Sequence, residues 1–522
     1  MTRFLALLLA AAFLYAASPE AERWWAHVAF LADDKLEGRN TGSRGHRVAA
    51  EYVAQEYERV GLKPAGTSGY FQPAKFAVRQ IDESASSLAL KFPDGRVEPL
   101  TLGEEAYFSL RADLARSLEA PLVFTGYGLT VPEKNYDDLA GLDLKGKIAI
   151  HLQGGPADIP SALKAHYQSA GERWKFFEAK GAVGLAVFSD PKNSDIPWER
   201  ARLARFQPAM ALAEPALQAA RSQRLALTIN PAHLDKFFAG SGHTAAEIWA
   251  AVAAKQPLPR FELKAKLISR AAVKRSSAIS DNIIGILPGS DPKLAKEVVV
   301  VSAHIDHLGI GEPINGDKIY NGALDNSIGV ASMIEIARAL RDQKLKRSVA
   351  FAAVTAEEKG LLGSKYLAHH PTFKDSTMVA NINMDMYLPI HPLQIVRVLG
   401  LEESSLGAHV RTAAAAMSVG VQGDLQPDRN SFIRSDQYSF IQQGVPAVNL
   451  GFGAEPNSPE AKLRAAWLKE RYHAPSDDLA QPVDKEAAVK FNQLLGRLIV
   501  AIANDAERPR WNESSFFKRF AR

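Results

Sequence analysis

From residue 280 onward, apolar runs of strand length alternate with segments whose apolar positions recur every three or four residues. The runs fall at 282–287, 298–301, 349–354, 379–382 and 445–450. They are continuous and rich in β-branched residues, so neither face of such a strand is polar and both must be covered. Between them, 328–340 puts Val330, Met333, Ile334, Ala337 and Leu340 on one helical face, with Asn326 or Ser327 placed to cap it. The alternation predicts an α/β fold with a mostly parallel central sheet sandwiched by helices.

The N-terminal third has a different texture. Residues 23–31 and 45–60 predict helices through Trp24, Val28 and Leu31, and through Val48, Tyr52, Val53 and Tyr57, with a stop at Gly61. Between them, Leu36-Glu37-Gly38-Arg39-Asn40-Thr41-Gly42-Ser43 predicts a loop. From 118 to 260, short strand-like runs at 120–124, 147–150 and 181–188 sit among turns and a Pro- and Ala-rich stretch. That block predicts a small β-rich module inserted in the chain. Residues 1–17 combine Arg3, an apolar run from Phe4 and small residues before Ser18-Pro19. This is the pattern of a secretory signal peptide, too short to cross a bilayer comfortably. The expected location is secreted or periplasmic, with no stable membrane insertion after signal removal.

Composition narrows the chemistry. The chain has 522 residues and no cysteine, which excludes disulfides, thiolate metal sites and cysteine nucleophiles. Its net charge of +4 comes with no long basic run, so no nucleic-acid partner is expected. His-Glu-x-x-His, a Walker loop and a Gly-x-Ser-x-Gly elbow near a plausible triad are all absent from the sequence.

The polar groups that matter follow the apolar runs. His304 and Asp306 come after 298–302, Glu357 and Glu358 after 351–355, and Asp385 after 379–383. In an open α/β sheet, ligands bind beyond the carboxyl ends of the strands, so three strand ends can serve one crevice. Imidazoles and carboxylates together suit zinc. In His304-x-Asp306, an extended backbone points both side chains the same way, so Asp306 can accept the other ring N–H of His304. Asp325 precedes a helix in a glycine-bearing loop, where a short carboxylate can bridge two ions. Glu357 and Glu358 are adjacent, so one can ligate while the other takes a proton from water. His307 is read as a loop residue hydrogen-bonded locally, with a supporting role behind the ligands as the lesser alternative.

Five motifs in order carry a resemblance. His304-Ile-Asp306-His307-Leu-Gly309, Tyr320-Asn-Gly-Ala-Leu-Asp325-Asn326, Ala356-Glu357-Glu358-Lys-Gly360, Asn383-Met-Asp385 and Tyr472-His473-Ala-Pro-Ser476-Asp477 resemble the co-catalytic di-zinc metallopeptidases. That broad family includes aminopeptidase Y, bacterial leucyl aminopeptidase and the glutamate carboxypeptidases. The likeness covers about 280–480, and the Leu36–Thr41 loop resembles the family's N-terminal segment. It implies residues 18–117 and 261–522 as the peptidase domain, and 118–260 as an inserted protease-associated (PA) domain. It also implies two zinc ions, one held by His304 and Asp385 and the other by Glu358 and His473, with Asp325 bridging. Glu357 would be the general base, Asp306 would orient His304, and Tyr472 would stand near the oxyanion. Ser435 and Asp436 would line the substrate pocket, although Asp436 could equally cap a helix. Leu324 departs from the pattern, because many relatives carry a second acidic residue there.

The expected function is therefore that of a secreted zinc aminopeptidase removing N-terminal residues from peptides. A carboxypeptidase or glutaminyl cyclase on the same scaffold, and a non-catalytic binding protein of this fold, are the alternatives. The intact ligand set and Glu357 argue against the last. Oligomeric state and residue preference are not legible.

Overall fold

The computed structural model describes residues 17–194, 196–429 and 431–521. The expected signal segment at 1–17 lies almost wholly outside the described residues. Among them, no helix is long and apolar enough to cross a membrane.

The strands that frame the site are β1 (Phe71–Ile81), β2 (Ala209–Leu212), β3 (Val273–Leu287), β4 (Glu297–His304), β5 (Ser348–Val354), β6 (Thr377–Met384), β7 (Ile395–Leu399), β8 (Gly420–Gln422) and β9 (Ala447–Phe452). They form one sheet in the order β2-β1-β3-β5-β4-β6-β9-β7-β8, and Lys63–Pro64 adds a short tenth strand along β3. The central four, β5-β4-β6-β9, are parallel. Both flanks are antiparallel where they meet that core, at β3 against β5 and at β7 against β9. Each predicted apolar run lies in this sheet. The 282–287 run, however, ends a long antiparallel strand, because β3 pairs with β1 from Val273 to Ile283 before it meets β5.

The all-apolar character of β4 and β5 follows from cover on both faces. Val299, Val301, Phe351 and Ala353 pack with Trp24, Val53, Ile334 and Leu495 from helices α1 (Pro19–Leu31), α2 (Arg44–Arg59), α3 (Ile328–Leu340) and α4 (Lys485–Asn504). Val298, Val300, Ala350 and Ala352 pack on the other side with Leu367 and Phe440. Along α3, Val330, Met333, Ile334, Ala337 and Leu340 are buried as the periodicity predicts. Burying each large apolar side chain contributes roughly 1.5–3 kcal/mol. Of the two residues expected to cap this helix, Asn326 does so, accepting from the Gly329 N–H at 3.2 Å.

A second sheet has eight strands and its own apolar core around Leu122, Ile150, Leu227 and Phe238. Its order is Val97–Leu100, Ser87–Lys91, Phe261–Arg270, Ser117–Phe124, Ile148–Leu152, Gly184–Phe188, Leu225–Ile229, Ala106–Phe108. The expected module boundaries at 118 and 260 fall inside it. The cause is long-range pairing: Phe261–Arg270 joins both Ser87–Lys91 and Ser117–Phe124. Strand β2, from the middle of the expected insert, crosses over to pair with β1 in the first sheet. Local periodicity carries no information about either event.

Candidate metal centre

Because β4, β5 and β6 are parallel, their carboxyl ends open on one side of the sheet. His304 is the last residue of β4, Asp385 directly follows β6, and Glu357 and Glu358 lie three and four residues past β5. Asp325 enters from the turn before α3, and His473 from the loop after helix Pro459–Glu470. His304 Nε2 stands 3.2 Å from Asp325 Oδ1 and 3.3 Å from Asp385 Oδ1. His473 Nε2 stands 3.4 Å from Asp325 Oδ2 and 3.2 Å from Glu358 Oε2. Asp325 thus lies between two groups of donors and turns one oxygen to each. Its backbone is fixed by Asp477, whose carboxylate accepts the N–H of Leu324 and of Asp325, each at 2.9 Å.

These residues fit a divalent cation. His304 donates its Nδ1–H to the Asp306 carbonyl at 3.0 Å, which leaves Nε2 facing two carboxylates. Without a metal the ring must hold a second proton there. Burial pulls the His304 pKa down, but hydrogen bonds to Asp325 and Asp385 lift it well above the usual value. Burial opposes His473 in the same way, yet the Glu358 charge and contacts with both carboxylates raise it to about 10. Glu358 is held well below the carboxylate range, burial being overcome by His473 and His307. Asp325 Oδ2 and Glu358 Oε1 are buried with no aligned hydrogen-bond partner among the described residues. Buried acceptors left in this way are costly. A cation bound by these lone pairs resolves the strain, and a His and carboxylate donor set is one that zinc accepts.

Two expectations need correction. The Asp306 carboxylate does not meet the His304 ring. It accepts from Thr41 Oγ1 at 3.0 Å and from the Glu357 N–H at 3.1 Å. Strand β4 ends at His304, so the two-residue alternation that would align both side chains stops there. Asp306 reaches the ring through its main-chain carbonyl instead. His307 makes no local loop hydrogen bond with its ring. It is fully buried with Nδ1 2.9 Å from Glu358 Oε1.

Glu357 is only partly buried, and burial raises its pKa well above normal; Asp385, Glu358 and Asp436 reinforce the shift against His304. Tyr472 packs on the His473 ring with centroids 3.9 Å apart, and its phenol is pushed well above normal by burial and by Asp325. The Ser435 hydroxyl accepts from Asn383 Nδ2 at 2.8 Å. Asp436 is completely buried and makes no capping hydrogen bond to helix Gln437–Ile441; burial lifts its pKa to about 7.

Sequence reading missed the supports. Arg39, buried, donates to the carbonyls of Ile305 at 2.9 Å, Asn321 at 2.7 Å and Gly322 at 3.0 Å, and to that of Leu31. From a distant segment it ties the loop after His304 to the loop before Asp325. Burial lowers its pKa to about 10, with Asp477, Asp306, Asp325 and Glu358 opposing. The only sequence signal was an arginine inside a glycine-rich loop. A cleft of about 1020 Å³ is lined by Arg397, Gln422 and Phe452 of the first sheet and by Tyr107 and Trp198, and none of the residues gathered above lines it. Burial lowers the Arg397 pKa, while Asp424 and Asp385 counter it.

Residues 282–499 match the family model described as Peptidase family M28. The match spans less than half of the chain. The matched segment holds every sequence-predicted site residue. The chain is 27% identical over 235 residues to "Aminopeptidase YwaD" of Bacillus subtilis (strain 168), covering 44% of this chain and 46% of that protein. It is 28% identical over 262 residues to "probable leucine aminopeptidase 2" of Aspergillus oryzae, covering 48% of this chain and 50% of that one. The chain thus spans about half the length of the curated relatives it matches. Among solved structures, "Aminopeptidase from Aneurinibacillus sp. strain AM-1" superposes with a TM-score of 0.55 at 20% identity, over 94% of this chain and 98% of that one. The likeness is one of fold, and it extends beyond the matched segment to both sheets.

Proposed function

We propose that the chain is a secreted zinc-dependent aminopeptidase that removes N-terminal residues from peptides with a two-metal centre. The observation that carries this is Asp325 between two donor groups, His304 with Asp385 on one side and Glu358 with His473 on the other. His304, Asp325 and Asp385 would hold one ion; Asp325, Glu358 and His473 would hold the other. When bound, zinc polarises the scissile carbonyl and acidifies the attacking water.

The chain's own groups then do the rest. Glu357 takes a proton from the attacking water and returns it to the leaving amine. Its raised pKa suits a group that must hold that proton between the two steps. The Asp306 carboxylate grips the Glu357 N–H and so aims the base. The Tyr472 phenol, kept protonated by burial, donates to the oxygen of the attacked carbonyl. Ser435 and Asp436 back the pocket, and the carboxylates at its floor attract a free substrate amine. The names of the M28 relatives support exopeptidase action. The eight-stranded unit is proposed as the PA-like module, contributing Tyr107 to the cleft wall.

A panel of aminoacyl chromogenic amides, with free and blocked N-termini and with and without chelator, tests this. Release from free N-termini that stops on chelation is expected. Equal cleavage of blocked substrates, or activity indifferent to chelator, overturns it.

A further inference from the structure

Glu357 reaches its place through a stretch of backbone that is held at nearly every polar group. Strand β5 ends at Val354, and its pairing with β3 stops at Ile283 and Ala353. Beyond that point a side chain takes over from the ladder: Asn282 of β3 accepts the Thr355 N–H at 2.9 Å. The Thr355 carbonyl accepts from the Gly363 N–H at 3.0 Å, and the Ala356 carbonyl from the Leu362 N–H at 3.0 Å. Glycine is required at 363, since a Cβ there would lie 2.0 Å from the Thr355 oxygen. Ala356 itself is left-handed, with φ 56°. That conformation is unfavourable for a residue with a Cβ and persists where the surroundings over-determine it.

The Thr355 hydroxyl has a lock of its own. It lies 2.8 Å from His46 Nε2 and 2.8 Å from Ser280 Oγ, and Ser280 Oγ stands 3.2 Å from His46 Nδ1. All three side chains are buried. Burial and the Arg39 charge lower the His46 pKa to about 3, so the ring is neutral and brings one donor and one acceptor to the two hydroxyls. Ser280 Oγ also accepts the Gly42 N–H at 3.2 Å. Thr41, next to Gly42, donates to the Asp306 carboxylate, which in turn accepts the Glu357 N–H. The contacts therefore close a ring from Thr355 through Ser280, Gly42, Thr41 and Asp306 to Glu357, and back along the chain through Ala356. His46 comes from α2 and Ser280 from β3, which supply none of the imidazoles and carboxylates of the metal centre. A buried network whose members are all satisfied fixes one geometry, because each group left unpaired is costly.

We propose that Thr355, locked by His46 and Ser280, is a positioning residue for Glu357. Thr355 fixes the start of the left-handed step that carries the carboxylate, while Asp306 fixes the Glu357 N–H. A base displaced by a fraction of an ångström from the attacking water loses rate without losing substrate affinity. This rests on the reading of Glu357 as the base and adds the residues that aim it.

The test uses the full zinc-loaded chain and a free aminoacyl chromogenic amide. Thr355→Val, close to isosteric, should lower kcat by about 10–100-fold, with KM and zinc content unchanged. Thr355→Ser, which keeps the hydroxyl, should restore most of the rate. In a Glu357→Gln background, Thr355→Val should cost nothing further, because the group it aims is gone. If Thr355→Val fails to fold, Ser280→Ala, alone and in the Glu357→Gln background, is read in the same way. An undiminished kcat in the folded variant, or an equal loss in both backgrounds, overturns the positioning role while the base reading stands. Near-normal turnover of Glu357→Gln alone overturns both.

Discussion

Asp477 accepts the backbone N–H of Asp325 at 2.9 Å. The second oxygen of the same carboxylate accepts from Leu324, so one buried side chain sets the direction from which Asp325 enters. Asp477→Asn presents an amide N–H₂ to one of these donors. A stability loss of about 1–3 kcal/mol is expected, measured by denaturant unfolding, together with weaker zinc binding in a chelator competition. Unaltered zinc affinity would show that Asp325 needs no such support.

Glu357→Gln should retain metal and lose turnover by at least ~100-fold, the scale of general-base loss. Metal content from elemental analysis and steady-state rates on a free aminoacyl amide check both halves. Near-normal turnover would remove Glu357 from the base role.

His473→Ala should cost one of two zinc ions after dialysis. Two ions retained would take it off the ligand set.

Zinc affinity should rise with pH. In the metal-free protein His473 is lifted to about 10 and His304 well above its ordinary value, so both rings carry an extra proton at neutrality. Metal has to expel those protons, and each one expelled adds about a decade of affinity per pH unit below its pKa. Chelator competition between pH 6 and 9, spans chosen below that value of about 10, should show a positive slope. A flat profile would mean that the rings are already neutral without metal.

Arg39→Lys should destabilise the fold by about 3 kcal/mol or more, because a single ammonium cannot reach four carbonyls and the nearby carboxylates lose a delocalised partner. Guanidinium unfolding with and without zinc measures it. A loss under about 1 kcal/mol, the range of an exposed pair, would mean that the staple is dispensable.

How much was legible follows from the range of the forces. The runs at 298–301 and 349–354 announced their strands because burial on both faces leaves a continuous apolar record. The periodicity of 328–340 announced α3 for the same reason. That His304, Asp325, Glu358, Asp385 and His473 come together was legible in part: His304, Glu358 and Asp385 follow apolar runs and Asp325 precedes a periodic helix, while His473 rested on the likeness of its motif alone. The second sheet was misjudged at its edges, since the pairing of Phe261–Arg270 with Ser87–Lys91 leaves no local trace. Asp306 was misjudged because the extended backbone stops at His304. His307 was undervalued because its meaning depends on Glu358, which arrives from another strand.

The grip of Arg39 on Ile305, Asn321 and Gly322, and of Thr41 on Asp306, links parts of the polymer more than 260 positions apart. Such distant closures form slowly. During synthesis, the early segment must therefore wait for most of the polypeptide to emerge before it finds its partners. The crevice that gathers His304, Asp325, Glu358, Asp385 and His473 would thus be completed only late in the chain's own maturation.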